Sequence, residues 1–92
     1  MKILYLEDAL EDLVWFHRYY SHIFPDGADR ALKQFEASEE TLSIHPYIGP
    51  ENEDGARKLH IINTPFSYVY IVNDSHIEIL RVLDNRRGKN QN

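Results

Sequence analysis

The order of hydrophobic patterns predicts an α+β domain of the type β-α-α-β-β-β, a helical hairpin packed on a mainly antiparallel sheet. Three observations carry that prediction. Apolar residues recur at three- and four-residue spacing in two successive stretches, Ala9, Leu13, Phe16, Tyr20 and Ile23, then Ala28, Ala31, Leu32, Phe35 and Leu42, which is the period of an amphipathic helix. One strand-like run precedes this pair and three follow it. Every element has an apolar side to hide, and a helical layer laid on a sheet hides both.

The first run, Lys2 to Leu6, alternates Ile3/Tyr5 with Leu4/Leu6. Both faces are apolar, so this strand is expected to be central or covered on both sides. Asp8 is placed to cap the first helix, with Glu11 completing a capping box. Trp15 and Tyr19 lie one turn apart beside the apolar stripe. Pro25-Asp26-Gly27 breaks the chain, and Asp26 can cap the second helix. His45-Pro46 ends that helix, because proline lacks the N–H and disfavours a helical residue before it. Residues 46–56 read as an exposed acidic loop. Lys58 to Asn63, Phe66 to Val72 and His76 to Leu83 are the remaining strands, separated by Thr64-Pro65 and by the turn Asn73-Asp74-Ser75. Residues 1–87 make one domain and 88–92 a short polar tail.

At 92 residues and 42% apolar content the chain can build one core and no more. It has no cysteine, hence no disulfide and no thiolate metal site, in keeping with a reducing compartment. The opening residues lack the basic start and long apolar stretch of a leader, and no apolar run reaches the length of a membrane span. The expectation is a cytoplasmic protein that does not engage membranes. The net charge of −5 is unevenly spread, −8 over residues 1–56 and +3 over residues 57–92. Such a chain is a poor general binder of nucleic acid, since affinity for phosphate rests on positive potential, although its basic end can grip one anionic surface.

Sorting the last hairpin by alternation puts Phe66, Tyr68 and Tyr70 on one face with Ile77, Ile79 and Arg81, and Val69 and Ile71 on the other with Leu80 and Val82. The aliphatic face is expected to meet the helices. The aromatic face is then either a rim of the core or a surface for a partner, for which its composition is suited. Arg57, Arg81, Arg86 and Arg87 are the candidates for contact with a target, because a guanidinium offers planar, multi-donor binding. Arg81, in mid-strand, has the alternative of pairing with a local carboxylate or stacking on a ring. The five histidines fall at no ligating spacing, so no metal is expected. Ser67 and Ser75 lack a glycine-rich elbow, and no phosphate-cradling loop calls for a cofactor.

In this order of elements, Ala9-Leu10-Glu11-Asp12-Leu13, His45-Pro46, Arg57-Lys58-Leu59, Tyr68-Val69-Tyr70-Ile71-Val72 and Ile77-Glu78-Ile79-Leu80-Arg81-Val82-Leu83-Asp84-Asn85-Arg86-Arg87 together resemble a ParE-type toxin of the RelE/ParE superfamily. The resemblance spans residues 2–87, and its most specific part is the terminal block that follows Val69-Tyr70-Ile71-Val72. It implies the toxin component of a type II toxin–antitoxin module, neutralised by a cognate antitoxin whose contacts would include Tyr68, Tyr70, Ile79 and Arg81. It places Asp84 where similar toxins usually have histidine.

The superfamily holds two activities. RelE-like members cut messenger RNA on the ribosome with basic side chains and a C-terminal tyrosine. In this chain Ile62 stands where one such arginine would fall, the tail Gly88-Lys89-Asn90-Gln91-Asn92 has no tyrosine, and only Arg86 falls where a RelE-type arginine would sit. ParE-like members resemble stoichiometric poisons of DNA gyrase, which need a binding surface rather than a nuclease site, and the resemblance favours that reading. An endoribonuclease, or a non-toxic member acting in an autoregulatory complex, are the alternatives.

Overall fold

The structure is a computed structural model describing residues 1–86; Arg87 and the tail expected at 88–92 lie outside them. The elements run β1 (Lys2–Tyr5), α1 (Glu7–Ile23), α2 (Pro25–Ile44), β2 (Arg57–His60), β3 (Phe66–Val72) and β4 (His76–Asp84). The strands form one sheet in the order β1-β4-β3-β2. β1 pairs parallel with β4, and the other two pairings are antiparallel. Both helices cover one face, as the order of patterns predicts. No helix among the described residues is long and apolar enough to cross a membrane.

Several local expectations are corrected. β1 lies at an edge of the sheet, with Lys2 and Leu4 exposed, because α1 leaves directly from its end and covers only one of its faces. α1 starts one residue before Asp8, so its N-cap is Leu6 and no side chain caps it. α2 starts at Pro25 with Phe24 as N-cap, again without a side-chain cap. Proline suits this first position because the missing N–H would have no helical partner there. The hairpin therefore turns through Phe24 alone. β2 ends at His60, and Ile61 to Pro65 form a turn in which Asn63 adopts φ 64°.

The largest correction concerns which face of the sheet is inside. Phe66, Tyr68, Tyr70, Ile77, Ile79 and Val82 form the core with Ala9, Phe16, Phe35 and Leu42 of the helices. The aromatic face, not the aliphatic one, meets the hairpin. Alternation also fails once. Tyr70 lies opposite Ile79 and Val69 opposite Arg81, so Leu80 is an extra residue in β4. This bulge reverses the parity of everything after it: Val82 joins the buried face opposite Tyr68, while Arg81 moves to the far face opposite Val69.

Tyrosine suits this core because each buried hydroxyl has a partner. The Tyr68 hydroxyl donates to the Phe35 carbonyl of α2 at 3.3 Å and lies 2.9 Å from the Tyr5 hydroxyl, which in turn donates to Glu39. The Tyr70 hydroxyl accepts the Gly49 N–H at 3.0 Å. No side-chain nitrogen or oxygen buried among the described residues lacks a partner. Burial pushes the Tyr68 phenol well above its ordinary value, and burial with the neighbouring Tyr68 oxygen does the same for Tyr5.

The candidate interaction surface

Two of the sequence-derived candidate groups separate at once. Tyr68, Tyr70 and Ile79 are each 0% exposed, so they are core residues and offer nothing to a partner. Their expected role in antitoxin contact is thereby corrected, and the reason is the reversed face assignment. Arg81 differs from them, since the bulge carries it to the opposite face, where its side chain is 49% exposed.

Each described arginine among the candidates is held within the chain. Arg57 donates from Nη1 to the carbonyls of Gly49 at 2.8 Å and Tyr47 at 3.2 Å, and its guanidinium lies 5.1 Å from the centre of the Tyr47 ring. It fastens the 46–56 loop to β2. Gly49 belongs to the same fastening, because a Cβ there would come within 2.7 Å of the Lys58 carbonyl oxygen and 2.8 Å of the Tyr70 hydroxyl. The loop, exposed over most of its length as expected, is thus pinned at its buried Gly49 and Ala56.

Arg81 pairs with Asp12 of α1 in a fork, Nε to Oδ2 at 2.8 Å and Nη2 to Oδ1 at 3.0 Å. This is the local carboxylate that mid-strand placement made possible, and it holds the guanidinium above its usual pKa. The same Asp12 Oδ2 accepts the Val82 N–H at 2.9 Å. Arg86 donates to both oxygens of Asp84, at 3.1 and 2.9 Å, and to the Tyr20 hydroxyl. Those bonds, with Asp84 first, hold its pKa above the ordinary arginine value. Asp84 therefore seats Arg86. Its side chain is 8% exposed whereas that of Arg86 is 62% exposed, so the guanidinium is positioned by the pair and still faces solvent.

Two depressions adjoin at Trp15 and Asp84, one reaching Arg81 and the other lined by Tyr19, Ile23, Phe24 and Arg86. Trp15 and Tyr19 stack with centroids 4.9 Å apart and planes 10° apart, and they are 43% and 47% exposed. Sequence spacing set Trp15 and Tyr19 beside the apolar stripe that supplies Phe16 and Tyr20 to the core, and it placed Ile23 on that stripe, whereas Ile23 is 59% exposed.

The far side of the sheet brings Lys58 and His60 into the same depression as Arg81. Ile62 lies at its border, 66% exposed in the turn after β2. Among the described residues no group of histidines and carboxylates is arranged to hold a metal ion.

The family described as "ParE toxin of type II toxin-antitoxin system, parDE" matches residues 3–88. A solved structure described as "Chromosomal ParDE TA system from P. aeruginosa" is similar to this chain, with a TM-score of 0.74 and 26% identity over 89% of this chain and 92% of that one. No curated protein gives a significant match.

Proposed function

The chain belongs to the ParE toxin family of type II toxin–antitoxin systems, and we propose that it is a stoichiometric poison of DNA gyrase, acting in the cytoplasm and held inactive by an antitoxin. The observation that carries this reading is the way the basic side chains are held. Cutting RNA through a ribose hydroxyl needs groups that move protons and neutralise a phosphate. Here Arg57 and Arg81 are committed to carbonyls and to Asp12, and the position of a nuclease-type arginine is the exposed apolar Ile62. Arg86 alone of the candidates in the described region combines a fixed geometry with a mostly exposed guanidinium, which suits binding.

The purified chain should inhibit gyrase supercoiling, or trap cleaved DNA, at near-stoichiometric ratios. Its expression without antitoxin should induce the DNA-damage response while bulk translation continues at first. Codon-phased cleavage of messenger RNA in a translating extract, with gyrase unaffected, would overturn the reading. A second reading, a non-toxic member kept for autoregulation, has its own observation in the Asp84–Arg86 pair, which ties up the guanidinium in part. Asp84→His removes that tie. If the natural chain is inert and the variant arrests growth, the second reading is correct.

A further inference from the structure

Both faces of β3 are apolar, and only one of them is covered. The helices close the face carrying Tyr68 and Tyr70, and no helix or strand among the described residues lies over the other. Cross-strand register lays out that outer face. Lys58, Val69 and Arg81 form one row across three strands, and Ile71, Glu78 and Leu4 form another. The middle is aliphatic and the border is basic. Lys2, Lys58 and Arg81 stand there against one acid, Glu78, which pairs with His76 at 2.9 Å. Ile62, in the turn after β2, borders the depression that holds Lys58 and Arg81 and is 66% exposed. On the other side of the molecule α1 and α2 carry nine acids and three bases. The domain is therefore acidic on its helical side and basic on its sheet side.

We propose that this outer sheet face is the surface with which the chain grips its target protein, docking on a patch that is aliphatic at its centre and rimmed by carboxylates. The identity of that target rests on the gyrase reading above; the face fixes which side of the toxin meets it. Opposite charge at the rim orients the encounter, and desolvated aliphatic side chains in the middle supply affinity. Lys58 is exposed and makes no ion pair among the described residues, so its charge is available. Arg81 is partly committed to Asp12 and shapes the rim beside it. Nucleic acid fits this face less well. Surfaces that hold single strands stack bases on aromatic rings, and the described strands turn no tyrosine, phenylalanine or tryptophan to this side. Its few cations, in a chain of net charge −5, neutralise no long run of phosphates. A second copy would have to lay its acidic helices here, a head-to-tail contact that builds an open chain of copies. Residues 87–92 contain no apolar side chain with which to cover the face.

The lysines provide the test. Lys58 lies on the sheet face, and exposed Lys33 of α2 is an internal control for the helical side. The full chain, alone and in complex with gyrase, is briefly acetylated and each lysine is followed by mass spectrometry. Acetylation of Lys58 should fall severalfold in the complex while that of Lys33 is unchanged. Lys58→Glu combined with Ile62→Asp alters two exposed positions, where folding is little affected, and should weaken binding and inhibition by roughly tenfold or more. Association of the natural chain should slow as salt is raised, and that of Lys58→Glu should slow less. Protection of Lys33 in place of Lys58, or full inhibition by the double variant, overturns the face assignment and leaves the gyrase reading intact. If the double variant fails to fold, the lysine protection of the natural chain still decides. A natural chain that neither binds nor inhibits gyrase overturns both. Protection of Lys58 that requires DNA in the gyrase complex assigns the face to nucleic acid, and protection that grows with the concentration of the chain alone assigns it to a second copy. Either result overturns the contact with the target protein.

Discussion

Two regions of this molecule are made of the same residue types and have opposite fates. The inner face of the hairpin carries Phe66, Tyr68 and Tyr70 and is sealed. The outer flank of α1 and the end of β4 carry Trp15, Tyr19, Arg81 and Arg86, all partly exposed. Aromatic content therefore does not distinguish core from surface. The buried rings share one feature, a partner inside the fold for each polar tip. Tyr68 and Tyr70 reach the Phe35 carbonyl and the Gly49 N–H, whereas Trp15 and Tyr19 stack on each other at the surface. A buried hydroxyl without a partner would cost about 1–3 kcal/mol, so these two hydrogen bonds decide the face.

The largest effect that tests this contrast is Tyr68→Ala. It empties the centre of the core and is expected to destabilise the chain by about 3–5 kcal/mol, as truncation of a buried aromatic does. Trp15→Ala should change stability by less than about 1 kcal/mol, since that ring is 43% exposed. Urea unfolding of the two variants, read by far-ultraviolet circular dichroism, compares them directly. Equal losses would erase the distinction. The milder Tyr68→Phe keeps the ring and removes the hydroxyl, for an expected loss of about 1 kcal/mol.

The same core sets an alkaline limit. The Tyr5, Tyr68 and Tyr70 phenols are raised, each chiefly by burial. A phenol whose folded pKa exceeds its unfolded value favours the folded state through its neutral form. Its contribution is complete below the unfolded value, about 10, and is lost as pH rises above it. Stability should therefore fall above about pH 10, with these three rings ionising only as the protein unfolds. Phenolate absorbance that rises fully before the circular dichroism changes would contradict it.

An intermediate effect is expected where the two regions meet. Asp12→Ala removes both bonds to Arg81 and the acceptor of the Val82 N–H. Arg81→Ala leaves the bond to Val82 in place. The first should cost about 1–2 kcal/mol and the second less than about 1 kcal/mol, because the Arg81 side chain is 49% exposed and its pairing is screened. If the order is reversed, Asp12 is not what holds the end of β4. Asp12→Ala should also speed exchange of the Val82 amide by unplugging it.

The contrast also marks what could be read from the chain. Element order, the helical hairpin and the mixed use of apolar faces follow from periodicity, which reports on every residue of an element. The inner face of the sheet does not, because both faces of β3 are apolar and the choice lies with the hydroxyl partners contributed by α2 and the 46–56 loop. The Leu80 bulge is equally silent in sequence. It shifts Arg81 and Val82 by one step, and a single inserted residue is enough to exchange a core position for a surface one. Arg86 was readable as a surface residue from the absence of apolar neighbours, but its seat on Asp84 and Tyr20 needs residues brought together from α1 and the end of β4.

The smallest expected change in stability belongs to Arg86, and it discriminates most sharply between a clasp and a contact. Arg86→Ala, combined with Arg87→Ala, removes bonds to Asp84 and Tyr20, yet the Arg86 side chain is 62% exposed and water replaces it. The unfolding midpoint should shift by no more than the equivalent of about 0.5 kcal/mol, as at an ordinary surface position. Inhibition of gyrase should be lost nonetheless, because a guanidinium pre-set by a carboxylate binds a planar acceptor with little further ordering. Arg86→Lys keeps the charge and loses the fork, so it should restore inhibition only in part. A destabilisation as large as that of Asp12→Ala would make Arg86 a structural clasp joining α1 to β4. Full inhibition by the double variant, with an unchanged midpoint, would move the contact surface away from this end of the molecule.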